Sequence, residues 1–443
     1  MRIFTARRRE RECEACHWLP RRRSLSRPDS CYTAAMRVVF LTSRMPFPPE
    51  GGDRFRVFHF LRTASEAGHE VHLVTFDRSV PEPSAIAPLE RLLASIRIVP
   101  LPKLLSTLRS AKALPTGEPL QAAYYRSRRM REQVGETLRR VRPDVVYTHL
   151  FRMAPYAMER MKEHRTRWIL DLTDVISAGI ARSLPFRRGP DLWLYREEMR
   201  RIERFEAAIA PRFDECWVIS EAERANLVGL APDARIRVVP MGLGPEPFHP
   251  NGPRDAARLL FLGFHEVFHN RDAVRFLVQD VFPRVRAAVP EATLDIVGRS
   301  SGSLGAWARG DGVRIIGYAP RLEDVLMTAT VFVAPHRFAA GLQTKVIQAL
   351  ASGIPVVSTP PVRLGLEPVP DDVLRIAIEP EALAAQIVQL IRDPADAAAL
   401  GQRGRAWARS TFTWDIALEA LESNNGAHPK PTRKPLPFIP AAV

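Results

Sequence analysis

Cysteine is scarce in this sequence of 443 residues: there are four, and three of them (Cys13, Cys16 and Cys31) lie near its start. A disulfide-stapled fold is therefore excluded, and such sparse use is typical of a reducing cytoplasm. Long apolar runs are also missing, because arginine or proline interrupts each hydrophobic stretch before the roughly 18 residues that a membrane-spanning helix needs. We expect a cytoplasmic protein that is soluble or held only at a membrane surface.

Acidic residues are outnumbered, with 49 Asp and Glu against 64 Lys and Arg and a net charge of +15. Most of the excess lies before residue 249. A positive field favours anionic partners such as nucleotides, phospholipids or nucleic acids. The sequence has no nucleic-acid reader module and no aromatic residues interleaved with its basic runs, so we predict no nucleic-acid partner.

The first 35 residues contain nine arginines and a CEACH motif at positions 13–17. This motif matches covalent haem attachment, which requires export, but the charged residues 7–12 rule out the apolar core of a signal peptide. A zinc site that includes Cys31 would have atypical spacing. We predict that residues 1–35 are a disordered arginine-rich tail, or sequence read from upstream of a true start at Met36.

From Met36 onward, short β-branched runs alternate with helical stretches, a pattern that builds parallel sheets. A proline- and glycine-rich linker between Val239 and Arg258 interrupts the alternation, which then restarts. The pattern predicts an α/β fold of two doubly wound, Rossmann-like domains, over residues 36–248 and 249–410. Ligands bind such sheets at the carboxyl ends of their strands, so the cleft between the domains is the predicted site.

Two segments follow the second domain. Residues 411–424 are predicted to form a helix that packs back toward the first domain, and residues 425–443, rich in proline and lysine, to form a disordered tail.

Glycines mark several candidate ligand loops, although no phosphate-binding loop of the ATPase type occurs. Gly51 and Gly52 follow the first predicted strand and immediately precede a helix, whose amino end favours anions. In the second domain, predicted strands end at Gly263, Gly298 and Gly317. An ordinary turn is the alternative for the first pair, and an exposed loop the alternative after Gly298.

The stretch PHRFAAGLQTKVIQALASGIPVV, residues 335–357, predicts a strand, a turn at Gly341 and a helix over residues 344–351. Lys345 lies in the first turn of this helix, where it can meet a phosphate. Thr344 and Gln348 lie one turn apart on one face, so Lys345 and Gln348 can address different parts of one nucleotide.

The chain from Met36 to about Leu421 resembles the GT-B glycosyltransferases of the retaining family 4. The similarity rests on MRVVFLTSRMPFPPEGGDRFRVFHFL (36–61) and GLQTKVIQALASGIPVV (341–357), with the shorter motifs DVVY (144–147), DLTD (171–174) and VPMG (239–242) between them. The two longer segments are most similar to a bacterial branch found with exopolysaccharide and PEP-CTERM/exosortase systems. The ordered succession of motifs is more specific than any one of them.

This resemblance implies transfer of a sugar from a nucleotide-diphosphate donor, a UDP- or GDP-sugar, to a glycan or lipid-linked acceptor, with retention and without a required metal or cofactor. The first domain would bind the acceptor and the second the donor. His149 and Lys345 are the implied catalytic residues. The implied donor-binding residues are Gly51, Gly52, Gly263, Arg271, Gly298, Gly317, Ala340, Gly341, Leu342, Thr344, Lys345 and Gln348. The implied acceptor-side residues are Arg56, His59, Asp171 and Asp174.

The sequence departs from the family pattern at two places. The wider family has Glu, seven residues and Glu where this chain has Ala340 and Gln348. Glutamine still donates and accepts hydrogen bonds but brings no charge to the donor ribose. The Arg and Lys that follow the Gly263 strand in many members are absent as well, and Arg271 is the candidate substitute.

Two alternatives to an active glycosyltransferase stay open: a catalytically weak sugar-nucleotide-binding scaffold of a polysaccharide assembly complex, or a nucleotide-sugar epimerase using Asp171 and Asp174. We also expect the enzyme to bind peripherally to the inner leaflet. The last interpretation rests on arginines set beside aromatic residues, which attract anionic headgroups. They are Arg126, Arg128, Arg129, Arg131, Arg187 and Arg188, beside Tyr124, Tyr125 and Phe186.

Overall fold

The computed structural model describes residues 34–49, 51–78, 83–163, 165–244, 257–299, 302, 304–319, 321–339 and 341–423. The predictions for residues 1–33, for Ala340 and for the tail after residue 423 lie outside the described residues. So does the middle of the predicted linker.

The first domain is built on a seven-stranded parallel sheet in the order β3-β2-β1-β4-β5-β6-β7. Its strands are β1 (Arg37–Thr42), β2 (Glu70–Asp77), β3 (Ser95–Pro100), β4 (Val145–His149), β5 (Arg167–Thr173), β6 (Glu215–Val218) and β7 (Ile236–Val238). Its helices are α1 (Gly52–Glu66), α2 (Pro83–Glu90), α3 (Lys103–Lys112), α4 (Leu120–Tyr124), α5 (Arg128–Val141), α6 (Ala154–Met158), α7 (Ile176–Ser183), α8 (Gly189–Ile209) and α9 (Glu221–Leu230).

Helices cover both faces of this sheet, as the side chains of β1 illustrate. Val38 and Phe40 enter one hydrophobic cluster, and Val39 and Leu41 enter another on the opposite face. All four are fully buried. A strand buried on both faces must be a continuous apolar run rather than an alternating one, which is the pattern seen in the sequence.

The second domain repeats the design with six parallel strands in the order β10-β9-β8-β11-β12-β13. The strands are β8 (Arg258–Leu262), β9 (Thr293–Val297), β10 (Val313–Gly317), β11 (Val331–Ala334), β12 (Val356–Ser358) and β13 (Arg375–Ile376). The helices are α10 (Phe268–Phe276), α11 (Phe282–Ala288), α12 (Leu322–Thr328), α13 (Thr344–Ala351), α14 (Pro360–Leu366), α15 (Pro380–Arg392) and α16 (Pro394–Thr411). The predicted class, two doubly wound α/β domains, is confirmed.

A last helix, α17 (Asp415–Glu422), follows α16 but packs on the first domain. Arg167 donates hydrogen bonds to the carbonyl oxygens of Leu421 and Ala420, at 2.8 and 2.9 Å. Between α16 and α17 the chain crosses the other connection between the domains, where the Trp414 indole N–H donates to the Leu243 carbonyl oxygen at 2.8 Å. The two domains are thus linked by a pair of crossing segments.

None of the helices in the described part of the chain combines the length and the apolar character needed to cross a membrane.

Candidate active site

The candidate site lies where the carboxyl edges of the two sheets meet. Gly341, which follows β11 in the second domain, packs directly on Asp174, which follows β5 in the first. A Cβ atom on Gly341 would lie 1.6 Å from Asp174 Oδ1, and the Gly341 φ of 55° is in the left-handed region. Glycine is therefore required at this position for the two domains to approach so closely.

A largely apolar cavity of 540 Å³ opens beside this contact and is lined by both domains. The rings of Phe186 and Phe338, one from each domain, stack with their centroids 4.3 Å apart. The Arg337 guanidinium lies 5.2 Å above the Phe186 ring. The first-domain segment after α7 therefore forms part of the wall of the cleft.

On the second-domain side, Lys345 lies in the first turn of α13, close behind Gly341. Its ammonium donates a hydrogen bond to Gln348 Oε1 at 3.2 Å. Burial lowers the pKa of Lys345 to about 8. An anion at this place would favour the charged lysine and would also meet the positive amino end of the helix.

The neighbours of Lys345 occupy the positions that the sequence pattern indicated. Helix α13 covers the predicted residues 344–351, which places half-buried Thr344 and Gln348 one turn apart. Leu342 is buried in the second-domain core at 8% exposure. The structure thus brings Gly341, Thr344, Lys345 and Gln348 together, and their assignment to donor binding stays a prediction.

Three predicted glycines meet at the ends of neighbouring strands. A Cβ on Gly298, at the end of β9, would lie 1.7 Å from the carbonyl oxygen of Gly263, at the end of β8. The Gly298 N–H donates to the Gly317 carbonyl oxygen at 2.7 Å. These glycines let the backbones pack together at the carboxyl edge of the sheet.

A second cavity, of 930 Å³, lies next to these glycines and was not predicted from the sequence. Phe264 and Tyr318 line it and are half exposed, and the Arg299 guanidinium lies 4.5 Å above the Tyr318 ring. The available signal was an aromatic residue directly after each of Gly263 and Gly317. Exposed aromatic faces of this kind suit stacking by a planar ring.

Arg271, the candidate substitute for the missing basic residues, lies in the first turns of α10. Its side chain is half-buried and forms no ion pair with any residue that the structure describes.

The floor of the first-domain side is a buried ion pair. Arg56 on α1 and Asp171 at the end of β5 are 2% and 0% exposed, and Arg56 Nε donates to Asp171 Oδ2 at 2.7 Å. The Tyr147 hydroxyl donates to the same oxygen, and the Thr173 N–H donates to Asp171 Oδ1 at 2.8 Å. Burial alone would raise the pKa of Asp171, but Arg56 and the other partners hold it below its usual value. Arg56 and Asp171 therefore contact each other rather than an open cleft.

His149 ends β4 beside this floor. Its Nε2 lies 3.3 Å from Thr173 Oγ1, and its ring is stacked near that of Tyr147. The side chain is 3% exposed, and burial lowers its pKa to about 4 against the opposing effect of Asp171. The imidazole is therefore neutral at physiological pH, and it offers a hydrogen bond rather than a charge.

Asp174 differs sharply from Asp171. Its Oδ1 is buried without a hydrogen-bond partner among the described residues. Burial and the nearby Glu223 raise its pKa to about 7, although Arg182 opposes the shift. Asp174 thus exchanges a proton near neutral pH at the contact between the domains.

The other predicted residues of the first domain lie around the start of α1. Gly51 caps this helix with a φ of 86°, and Gly52 has open space around its Cα atom. His59 is 3% exposed, stacks on Trp414, and has a pKa lowered to about 3 by burial. His59 therefore packs at the crossing between the domains. The roles assigned to these residues stay predictions.

Two arginines that sequence reasoning missed converge near His149. Arg44, just after β1, lies with its Nε 3.4 Å from the Tyr125 hydroxyl. Arg152, just after β4, lies with its guanidinium carbon 5.4 Å from the centre of the same ring. The signal available in the sequence was their position, because each closely follows a parallel strand whose carboxyl end faces the cleft.

The residues predicted to meet a membrane lie in different surroundings in the structure. Tyr125 is 7% exposed, and Phe186 stacks on Phe338 in the cleft. Arg126, Arg128, Arg131 and Arg187 each form an ion pair, with Glu118, Glu132, Glu159 and Asp191 respectively. Two of the three aromatic residues, Tyr125 and Phe186, therefore pack against other parts of the protein.

The fold and the cleft define a protein of the GT-B class, and two family models match the chain in tandem. Residues 51–242 match the glycosyl transferase 4-like domain, and residues 256–393 match glycosyl transferases group 1. Together the two matches span most of the chain. The chain belongs to the glycosyltransferases of GT-B type.

Solved structures show the same fold at low sequence identity. Sucrose-phosphate synthase from Thermosynechococcus elongatus is 19% identical, with a TM-score of 0.64 over 87% of this chain and 98% of that one. HepE from Anabaena in complex with UDP is 14% identical, with a TM-score of 0.63 over 87% and 99%. A glycosyltransferase from Rickettsia africae is 11% identical, with a TM-score of 0.62 over 88% and 97%. No curated protein sequence matches the chain significantly.

Proposed function

We propose that this glycosyltransferase moves a sugar from a nucleotide-diphosphate donor to a glycan or lipid-linked acceptor, with retention, during synthesis of an exopolysaccharide or other cell-surface polysaccharide. The observation that carries the proposal is Lys345 at the amino end of α13, behind the Gly341–Asp174 contact. A half-buried ammonium and a helix amino terminus together suit a diphosphate. UDP in the HepE structure supports a nucleotide donor.

In the proposed reaction, the bond between the sugar C1 and the β-phosphate oxygen breaks, and the acceptor hydroxyl oxygen bonds to C1 on the same face. The acceptor hydroxyl proton passes to the departing diphosphate. Negative charge develops on the departing diphosphate. Lys345 and the α13 amino end stabilise that charge. These groups supply the positive charge, so we propose that the protein works without a metal.

The remaining residues would position the two substrates. The half-exposed rings of Phe264 and Tyr318 suit stacking by the donor base, and Gln348 suits hydrogen bonding to its ribose. His149, neutral and next to the cleft floor, would donate a hydrogen bond to the transferred sugar or the acceptor.

Binding to the surface of an anionic membrane is the second part of the proposal, and helix α3 supports it. Leu104, Leu105 and Leu108 are 73%, 51% and 50% exposed on this helix. The helix KLLSTLRSAK contains three basic residues and no acidic one. Exposed leucines beside basic residues are typical of a helix lying in the interface of an anionic bilayer.

The donor experiment is calorimetry of the purified chain with UDP, GDP, ADP and their sugars, followed by product analysis with the donor that binds. We expect one nucleotide to bind, and Lys345→Ala to weaken it by about tenfold. Gln348→Glu should bind the nucleotide more tightly if the site has drifted from the family's glutamate. Arg128→Gln, which removes an exposed charge on α5, is the matched control and should change nothing.

Absence of nucleotide binding under all conditions would contradict the donor proposal. Nucleotide binding without transfer to any glycan or lipid-linked acceptor would favour the scaffold alternative. Flotation with anionic vesicles tests the membrane part: Leu104→Asn with Leu108→Asn should abolish binding, and binding that persists would exclude α3 as the contact.

A further inference from the structure

Two arginines, Arg44 and Arg152, lie against one tyrosine, Tyr125, in the first-domain half of the cleft. Arg44 Nε donates to the Tyr125 hydroxyl at 3.4 Å, and the Arg152 guanidinium carbon lies 5.4 Å from the centre of the Tyr125 ring. Burial alone would raise the pKa of Tyr125, but Arg152 and Arg44 together lower it below its usual value. Two like charges have therefore been brought close to one side chain, an arrangement that a nearby anion would stabilise.

The charges of this pair are incompletely matched. Arg44 pairs with Asp53 at 3.3 Å, at a place where its side chain is half exposed. Arg152 forms no ion pair with any residue that the structure describes, and its Nε is buried without a hydrogen-bond partner. Burial lowers the pKa of Arg152, with Arg44 adding to the effect. A guanidinium whose buried Nε has no hydrogen-bond partner costs free energy that a bound anion would recover.

The surroundings place this pair at the reacting end of the first domain. His149 is three residues before Arg152. The charge of Asp53 raises the pKa of His149 and the charge of Arg152 lowers it, although burial has the largest effect. Asp53 lies in the first turn of α1, next to Gly51 and Gly52, so the positive amino end of that 15-residue helix faces the same space. Asp53 is the one acid that the structure shows next to the two guanidiniums.

We propose that Arg44 and Arg152 bind a phosphate group carried by the acceptor. This inference rests on the proposed function, because it names the chemical class of the acceptor that the first domain would hold. Two planar guanidinium forks suit a phosphate oxyanion better than a neutral hydroxyl. Both arginines belong to the first domain, whereas Lys345 belongs to the second.

The phosphate has two chemical sources, a soluble sugar phosphate or a lipid-linked phosphate, and the experiment has one arm for each. Calorimetry at constant ionic strength measures binding of glucose 1-phosphate and, separately, of polyprenyl phosphate in detergent micelles. Glucose is the neutral control ligand. Both arms use the full chain and the Lys345→Ala variant, so that phosphate bound at the donor site is identified.

We expect at least one phosphate probe to bind and glucose not to bind. Arg44→Gln and Arg152→Gln should each weaken that probe by about tenfold or more while changing nucleotide affinity by less than about twofold. Arg128→Gln is the matched charge control. Arg44 is half exposed, so its variant tests the proposal even if Arg152→Gln does not fold.

The proposal is overturned if neither probe binds, or if binding survives Arg44→Gln but is lost in Lys345→Ala. It fails separately from the donor proposal, because phosphate binding to the Lys345→Ala protein requires no nucleotide. If polyprenyl phosphate binds and glucose 1-phosphate does not, the acceptor is lipid-linked, and the reverse result makes it a soluble sugar phosphate.

Discussion

The two sides of the cleft hold their charged groups in opposite ways. On the first-domain floor, Asp171 is surrounded by donors: Arg56, Tyr147 and the Thr173 backbone. On the second-domain side, Lys345 has one neutral partner, Gln348, and a pKa lowered by burial. The Asp171 carboxylate is held by these donors without a ligand, whereas Lys345 would be stabilised further by an anion. We infer that the floor fixes the positions of the first-domain residues. The Lys345 ammonium, in contrast, is available to bind an anion.

Breaking the floor should produce the largest effect. Asp171→Asn leaves the Arg56 guanidinium buried beside a neutral partner, so we expect the free energy of unfolding to fall by about 3 to 5 kcal/mol. Urea unfolding followed by circular dichroism measures this change.

The matched control is Glu132→Gln, which removes the exposed partner of Arg128 within one helix. Exposed pairs contribute about 0.5 kcal/mol or less, so this variant should unfold like the wild type. Equal stability losses in the two variants would show that the floor is no more important than a surface pair.

Asp174 lies at the contact between the two domains, and replacing it should have an intermediate effect on the free energy of unfolding. Its folded pKa is raised from 3.8 to about 7, so the folded state favours the protonated acid. Stability is therefore fully present below about pH 4 and is lost as the pH rises through about 7. Asp174→Asn mimics the protonated form, and at about pH 8 its free energy of unfolding should exceed that of the wild type by up to about 4 kcal/mol.

Thermal and urea unfolding across that pH range provide the measurement. The advantage of Asp174→Asn should disappear near pH 4, whereas exposed Asp233→Asn should follow the wild type throughout. A stability difference that does not depend on pH would mean that Asp174 is ionised in the folded protein.

The sequence predicted those features of the two domains that depend on residues close together in the chain. The strand patterns, the loop at Gly51 and Gly52, and the helix carrying Lys345 each depend on neighbouring residues. Helix α13 spans the predicted residues 344–351, because the turn at Gly341 and the apolar spacing after it are contained within one short stretch.

The floor could be predicted only in part, since its partners are far apart in the chain. Arg56 and Asp171 are 115 positions apart, and no local pattern indicates that they form a pair. Both were named as separate acceptor-side residues. The same limit explains why Arg44 and Arg152 were missed. Side-chain direction across a parallel sheet depends on register, which only the folded chain determines.

Lys345 provides the smallest but most specific test of the comparison. A lysine whose pKa is about 8 is charged at neutral pH and neutral near pH 9.5, so affinity for the bound nucleotide diphosphate should be constant up to about pH 7.5 and fall by about tenfold by about pH 9.5. Lys345→Ala should bind weakly at every pH. Lys345→Arg keeps its charge throughout and should lose the pH dependence. If calorimetry shows the same decline in nucleotide affinity with pH for Lys345→Arg, another group titrates. The ammonium of Lys345 is then not the charge on which binding depends.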